Sequence, residues 1–118
     1  MSEPLVHLDL ADLGVSPTAA LFEGKGNGAG ISMFVTHTPV NAAVPLHVHP
    51  YPETFVLLRG KGRWTAGDHV AELEPEQLIV VPANTPHGFR NVGDEPLLVV
   101  SVHERGEIEQ EWLGRDPA

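Results

Sequence analysis

The sequence predicts an all-β domain, a sandwich or a closed barrel, from three observations. Twelve glycines and eleven prolines recur at short intervals, so few windows of about ten residues remain in which a helix could form. Short runs of β-branched and apolar residues lie between these turn formers at close, even spacing, as in antiparallel β proteins. The length of 118 residues suits one hydrophobic core, so residues 1–118 are expected to form a single domain.

The apolar runs and the turn formers between them predict the individual elements. Strands are predicted over 31–38, 54–58, 78–81 and 97–102. Tight turns are predicted over 59–63, 66–69, 74–77, 82–88 and 92–96. Several strand runs are apolar on both faces, so an opposing sheet or a second subunit must cover them, and a homodimer is expected.

The two ends of the chain have a different character. Residues 1–12 are interpreted as an N-terminal arm or a swapped strand. In the segment 107–113, Ile108 and Trp112 are four residues apart, as on one face of a helix. This spacing predicts a short C-terminal helical turn docked on the barrel.

Composition excludes several classes of function. Sixteen acidic residues against seven lysines and arginines give a formal net charge of −9, so neither nucleic acid nor an anionic membrane is expected as a partner. Because cysteine is absent, any metal must be bound through nitrogen and oxygen. The amino end lacks a basic segment with an apolar run, and about eighteen apolar residues never follow one another, so a cytoplasmic protein is expected.

The stretch PLHVHPYPET, residues 45–54, concentrates metal-binding side chains. Side chains alternate along an extended strand, so His47 and His49 point to the same side. Pro50 and Pro52 interrupt regular strand pairing and impose a bend that can return Glu53 to the same interior. Two imidazoles and a carboxylate suit a divalent first-row transition metal better than calcium or magnesium.

His87 follows a buried-looking strand and a turn bracketed by prolines. If its ring turns inward on a neighbouring strand, it supplies a fourth ligand. One or two positions at an octahedral metal are then left for water or substrate.

These residues resemble the two sequence motifs of the cupins. The first motif, at about 41–60, is matched by His47-x-His49, three residues, Glu53, six residues and Gly60. The second, at about 76–91, is matched by Pro82-x-Asn84, two residues, His87, three residues and Asn91. The fifteen residues between the motifs resemble the short spacer of compact single-domain cupins.

The resemblance implies a jelly-roll β-barrel with one divalent metal per chain, Zn, Ni, Fe, Mn or Cu, bound by His47, His49, Glu53 and His87. Three positions where cupin motifs usually have glycine are occupied here by Asn41, Glu76 and Asn84. These are turn positions, and asparagine tolerates the left-handed backbone that glycine serves there. Glu76 is the most unusual of the three substitutions.

Further residues are candidates for a cavity beside the metal. Alternation from Glu53 and His87 points Phe55, Leu57 and Phe89 toward it. Phe34 and Trp64 are additional candidates for its walls. His37 and His103, at strand ends, could face the cavity as acid–base groups, although a structural role is the commoner one for such histidines.

Three functions are compatible with such a site. With redox-active Fe, Mn, Ni or Cu, the resemblance implies a dioxygenase-like reaction on a small organic molecule. With Zn, polarisation of a bound oxygen favours isomerisation, cyclisation or decarboxylation. Without chemistry, the barrel is a module that binds a small molecule or a metal. A metal-dependent enzyme is the preferred hypothesis, because a purely structural metal needs no open position beside an apolar cavity.

Overall fold

The computed structural model describes residues 4–118, so residues 1–3 of the predicted arm lie outside the described residues. The described chain begins with residues 4–9 in no regular structure, followed by one 3₁₀ turn at Leu10–Leu13. The strands that follow are β1 Gly14–Ser16, β2 Ala19–Glu23, β3 Ser32–Thr38, β4 Ala43–Val48, β5 Glu53–Arg59, β6 Gly62–Ala66, β7 His69–Leu73, β8 Leu78–Val81, β9 His87–Asn91, β10 Leu97–His103 and β11 Glu111–Trp112. Within residues 4–118, no helix has the length and apolar character needed to cross a membrane.

The strands form two antiparallel sheets, which confirms the all-β prediction. One sheet has the order β1-β2-β3-β10-β5-β8 and the other has the order β11-β4-β9-β6-β7. The four strands predicted from sequence are β3, β5, β8 and β10, with bounds that differ by no more than one residue at an end. The turns predicted at 74–77 and 92–96 lie between observed strands, the turn at 66–69 shares its end residues with β6 and β7, and those at 59–63 and 82–88 run into β6 and β9.

The hydrophobic core lies between the two sheets. It consists of side chains from β5, β8 and β10 of one sheet and from β6, β7 and β9 of the other: Phe55, Leu57, Trp64, Leu73, Val81, Phe89, Leu97 and Val99. Fully burying one side chain of this size stabilises the fold by about 1.5–3 kcal/mol. The core is therefore the main source of stability.

The side chains that β5 and β10 point inward are apolar at one end of each strand and polar at the other. Strand β5 buries Glu53, Phe55 and Leu57, and β10 is paired beside it with Leu97, Val99, Ser101 and His103 inward. The register pairs Glu53 with His103 and Leu57 with Val99. Because both strands are polar at the same end, the barrel is apolar at one end and has buried polar side chains at the other.

The prediction of a helical turn at 107–113 is wrong. Within this segment Glu111 and Trp112 form strand β11, which pairs with Val48 and His47 of β4. Hydrogen bonds between Leu113 N–H and the Leu46 carbonyl, 3.0 Å, and between Leu46 N–H and the Arg115 carbonyl, 2.8 Å, continue the pairing. An open strand edge offers more backbone hydrogen bonds than one isolated helical turn satisfies, so the segment is extended.

The turn positions that lack the usual glycine adopt the left-handed backbone. The φ angles of Asn41, Glu76 and Asn84 are 67°, 71° and 60°, and Gly60, between β5 and β6, has a φ of 92°. A β-carbon on Gly60 would lie 3.1 Å from the Pro96 carbonyl oxygen. Left-handed backbone is strained for a residue such as glutamate, so Glu76 stores local strain.

Asn91 shapes the turn between β9 and β10 and is buried. Its amide nitrogen donates to the carbonyls of Thr38, 3.0 Å, and Glu95, 2.8 Å, and its oxygen accepts from Gly93 N–H, 2.9 Å. The last residue of the second motif is thus a structural crosslink between three chain segments.

Candidate metal centre

Four buried side chains converge at the polar end of the barrel. His47 lies near the end of β4 and His49 just after it, while Glu53 and His87 are the first residues of β5 and β9. One nitrogen or oxygen atom from each of these residues lies within 4.8 Å of those from the other three. These are the four residues that the sequence analysis named as candidate metal ligands, and none is more than 4% exposed.

The path of the chain explains why they meet. Strand β4 belongs to the five-stranded sheet and β5 to the six-stranded sheet, so the connection containing Pro50 and Pro52 carries the chain from one sheet to the other. His47 is paired directly with His87 in the β4–β9 ladder. Gly88 permits this close pairing, because a β-carbon there would lie 2.5 Å from the Val44 carbonyl oxygen.

Backbone carbonyls fix the orientation of three imidazole rings. Nδ1 of His47 lies 2.9 Å from the Pro45 carbonyl, that of His49 2.7 Å from the Tyr51 carbonyl, and that of His87 2.7 Å from the Thr85 carbonyl. A carbonyl only accepts, so each Nδ1 carries a hydrogen and donates it. In the neutral ring Nε2 then presents a lone pair, which is the form that binds a metal.

The three Nε2 atoms face one oxygen of Glu53. Their distances to Oε1 are 4.0 Å for His47, 2.9 Å for His49 and 3.0 Å for His87. Lone pairs at these distances from a carboxylate oxygen repel one another unless a proton or a metal ion lies among them. The buried donor set therefore has room for a proton or a metal ion at its centre.

Two pKa shifts agree with this arrangement. Burial lowers the pKa of His47 to about 4, against the hydrogen bond with the Pro45 carbonyl, so its ring is neutral at physiological pH. Burial alone would raise the pKa of Glu53, but the hydrogen bond from His103, together with a proton shared between Oε1 and His49 or His87 in the metal-free chain, outweighs it and holds that pKa far below its usual range. A neutral imidazole and an ionised carboxylate are the protonation states that metal binding needs.

The residues fit one divalent transition metal. Three imidazole nitrogens and one carboxylate oxygen, each oriented by its own contacts, match the ligand preferences of Zn, Ni, Fe, Mn and Cu. These ligands leave positions at a five- or six-coordinate ion open to another molecule.

A cavity of about 290 Å³ adjoins the cluster, and His47, Glu53 and His103 line it. Phe34, Phe55 and Phe89, which the sequence analysis named as candidates, form part of its wall. None of the cavity-lining residues in the part of the chain that the structure describes is lysine or arginine. The wall is mostly apolar but includes the polar side chains of Thr36, Ser101 and Gln110, and Glu53 and the histidines lie at one end.

Leu57 and Trp64, the other two candidates for the wall, are not among the described residues that line this cavity. Both are buried in the hydrophobic core. Leu57 does point inward on the same face as Phe55, but it lies one step farther from the cluster, where the two sheets are in contact. Alternation along a strand predicts which side a residue faces, and it does not predict how deep the cavity extends.

The two acid–base candidates have different positions. His103 is buried, lines the cavity, and has its Nε2 3.0 Å from Oε2 of Glu53. His37 is exposed on β3 and lies outside the cavity. Only His103 is placed near the cluster.

Sequence reasoning missed several cavity residues. Thr36 and Gln110 line the cavity, and the Oγ1 and Oε1 atoms of these side chains are buried without a hydrogen-bond partner in the described structure. Trp112 is 55% exposed, lines the same cavity, and its ring lies 4.9 Å from that of His47. Gln110 and Trp112 were missed because their segment was expected to be helical.

The sequence of this chain is similar to a known protein family and to one known protein. Residues 34–103 match the family described as the cupin domain. An uncharacterised protein of Methanocaldococcus jannaschii, MJ1618, is 32% identical over 77 residues, which cover 59% of this chain and 62% of that protein.

Solved structures of oxalate decarboxylases have a similar fold. A Bacillus subtilis oxalate decarboxylase at pH 4.6 gives a TM-score of 0.79 at 20% identity, covering 88% of this chain and 30% of that one. A formate complex of the Lactobacillus farciminis enzyme gives 0.77 at 19% identity, covering 87% and 34%. A B. subtilis structure described for its Mn(II) centres gives 0.75 at 21% identity, covering 83% and 29%. At these identities the likeness establishes the jelly-roll fold, and the chain spans about a third of these enzymes.

Proposed function

The chain belongs to the cupin domain family, and on that premise we propose that it is a metal-dependent enzyme acting on a small organic molecule. The observation that carries the proposal is the set of three Nε2 lone pairs and one carboxylate oxygen, oriented toward a single point beside an apolar cavity. His47, His49, Glu53 and His87 would hold one divalent transition metal. When bound, the metal supplies a Lewis acid, or with Fe, Mn, Ni or Cu a redox centre.

The side chains that line the cavity indicate which class of substrate it could bind. Phe34, Phe55 and Phe89 offer apolar surface for the body of a small molecule. Thr36 Oγ1 and Gln110 Oε1 are buried oxygens that a polar group of the substrate could satisfy. Because the lining residues found within 4–118 include no lysine or arginine, this part of the chain offers no cationic side chain to a second negative charge. We therefore propose a mainly apolar substrate with one oxygen group for the metal.

The similar structures suggest one reaction to include in a test. They are oxalate decarboxylases, and one of them is described for its Mn(II) centres. Oxalate carries two negative charges and no apolar surface, so the cavity suits it poorly. Decarboxylation of a larger, singly charged acid stays within the proposal, as do isomerisation, cyclisation and oxygenation.

A binding module without catalysis is the second candidate, and one observation favours it. His103 is the titratable cavity residue outside the predicted ligand set, and both of its ring nitrogens have partners in the described structure, Tyr51 and Glu53. A general acid or base must come within hydrogen-bond reach of the substrate proton, and His103 could do so only by giving up the contact with Tyr51 or with Glu53. If the reaction requires an acid or base beyond the ligands, the candidate among the described residues is His103, which is held in this way.

One experiment separates these candidates. The purified protein is stripped with a chelator and reconstituted in turn with Zn²⁺, Mn²⁺, Fe²⁺, Ni²⁺ and Cu²⁺. Each form is then assayed with phenols, flavonols, diketones and amino-acid-derived acids, with oxalate included. Oxygen consumption identifies an oxygenase, and product analysis identifies decarboxylation or isomerisation.

The controls for this panel are variants of the site and of the surface. Activity must require the metal and be lost in His49→Ala, while His69→Ala, on the exposed start of β7, keeps it. If the protein binds metal but turns over no compound of the panel, the enzyme is rejected and the binding module is supported. A wild-type protein that binds none of the five ions would overturn the metal-dependent enzyme and a metal-binding module, and only a module for small molecules would remain.

We also propose that the protein is a homodimer. Strand β8 ends the six-stranded sheet, and its side chains Leu78 and Val80 are 59% and 58% exposed. An apolar strand at a sheet edge suits association with a second copy. Light scattering after size exclusion should give about twice the 12.7 kDa chain mass, and Val80→Glu should shift it toward the monomer. A monomeric wild type would contradict the proposal.

A further inference from the structure

Four imidazole rings surround the carboxylate of Glu53. One of them, His103, differs from the other three in the hydrogen-bond partner of its Nδ1 atom. His47, His49 and His87 each place Nδ1 against a backbone carbonyl. His103 instead places Nδ1 2.8 Å from the hydroxyl oxygen of Tyr51. A carbonyl can only accept a hydrogen bond, whereas a hydroxyl can also donate one.

The hydrogen bonds around His103 have a definite direction. The carboxylate of Glu53 only accepts, so Nε2 of His103, 3.0 Å from Oε2, carries a hydrogen and donates it. In a neutral ring Nδ1 is then the acceptor, and the Tyr51 hydroxyl donates to it. The hydroxyl oxygen in turn accepts from the backbone N–H of Glu109 at 3.3 Å. His103 thus has the opposite tautomer to the three ligand histidines.

Tyr51 is itself held on several sides. Its ring stacks on the His49 ring, with centroids 4.3 Å apart and planes at 11°, and it lies beneath the Arg105 guanidinium at 5.3 Å. Its carbonyl accepts from Nδ1 of His49 at 2.7 Å. Tyr51 therefore fixes the tautomer of His49 through its backbone carbonyl, and its hydroxyl satisfies the Nδ1 of His103 whose tautomer Glu53 fixes.

From this geometry we propose that Tyr51 and His103 are a positioning pair, which holds Oε2 of Glu53 and turns Oε1 alone toward the metal. This inference rests on the proposed metal site. It makes Glu53 a ligand through one oxygen and keeps His103 out of the ligand set. A carboxylate bound through both oxygens would occupy a further position at the metal, so the pair keeps that position open on the cavity side.

The test uses metal affinity and the visible spectrum of the Co²⁺ form, neither of which depends on turnover. His103→Leu removes the hydrogen bond to Oε2 and should weaken Zn²⁺ binding by about 10- to 100-fold in chelator competition. The Co²⁺ absorption should lose intensity, because Glu53 is released to bind through both oxygens and the coordination number rises. His103→Gln keeps an N–H donor and should recover part of both properties.

Tyr51→Phe tests the pair with little risk to folding, because it removes one hydroxyl and keeps the ring that stacks on His49. It should weaken Zn²⁺ binding less than His103→Leu and shift the Co²⁺ spectrum in the same direction. Val102→Ala is the matched control, since it lies beside His103 on β10 and points to the other face of the sheet. It should lower stability without moving the spectrum.

The outcomes separate this inference from the proposed function. Wild-type affinity and an unchanged spectrum in both His103→Leu and Tyr51→Phe would overturn the positioning pair and leave the metal site intact. Equal changes in Val102→Ala would also overturn it, because they would reflect general loosening of the barrel. A metal-binding wild type with no catalytic activity would reject the enzyme and leave the pair in place.

Discussion

The buried neutral ring of His47 should make the metal-free protein sensitive to mild acid. Its pKa is lowered from 6.5 to about 4, mainly by burial, and the ring is 4% exposed. The unfolded chain regains the ordinary pKa, so at intermediate pH it binds a proton that the folded state does not. The contribution of the neutral His47 ring to stability is therefore fully present above its pKa in the unfolded chain, 6.5. It is lost as the pH falls from there toward its pKa in the folded protein, about 4.

The size of the effect follows from the two pKa values. The full difference between 6.5 and about 4 corresponds to about 3 kcal/mol. Between about pH 7 and about pH 5, roughly 2 kcal/mol of this should be lost through His47 alone. The same interval leaves most carboxylates ionised, because their ordinary pKa values are near 4. The lowered pKa of Glu53 acts in the same direction, but only in more acidic solution.

Urea denaturation of the chelator-treated protein at about pH 7, 6 and 5 measures this loss. His47→Gln removes the titrating ring, so its free energy of unfolding should fall by roughly 2 kcal/mol less than that of the wild type across the interval. His69→Gln, at an exposed position, should follow the wild type. Parallel curves for wild type and His47→Gln would refute the reasoning, because the ring would then titrate alike in the folded and unfolded states.

Three further predictions concern the ligands and the turns. Elemental analysis should find close to one transition metal per wild-type chain and little in His87→Ala, with His69→Ala unchanged; equal metal in all three would exclude ligation by His87. Glu76→Gly should raise the free energy of unfolding in urea by about 1 kcal/mol, because it relieves a left-handed backbone with a φ of 71°; a loss would mean that the side chain has a stabilising role. Asn91→Asp should lower it by about 3 kcal/mol, because a buried carboxylate cannot donate to the carbonyls of Thr38 and Glu95; a neutral result would show that the crosslink is dispensable.

Local rules explain what could be predicted from the sequence. Alternation along a strand was enough to orient His47 and His49 together, and the proline-containing bend was enough to return Glu53 to them. The turn chemistry of the motifs likewise anticipated that Asn41, Glu76 and Asn84 would need a left-handed backbone, which the structure confirms. These inferences required only residues that are close to one another in the sequence, within one motif.

Features that depend on distant segments could not be predicted in this way. The end of the chain became strand β11 because β4, more than sixty residues earlier, left an edge open to it. The role of Tyr51 depends on His103, which is separated from it by 52 positions. The cavity stops short of Leu57 because the other sheet packs against that residue, and Trp64 lies in the same packed layer. Each of these is a consequence of how the two sheets meet.

The position of Trp112 gives the molecule an optical signal of its own. The chain has two tryptophans, and Trp64 is in the core, so a fluorescence change on loading the centre would come chiefly from the indole beside His47. A paramagnetic ion such as Cu²⁺ should quench that emission while Zn²⁺ should not. Metal titrations can therefore be followed by tryptophan fluorescence without an added dye. The Trp112→Phe variant should lack the fluorescence change.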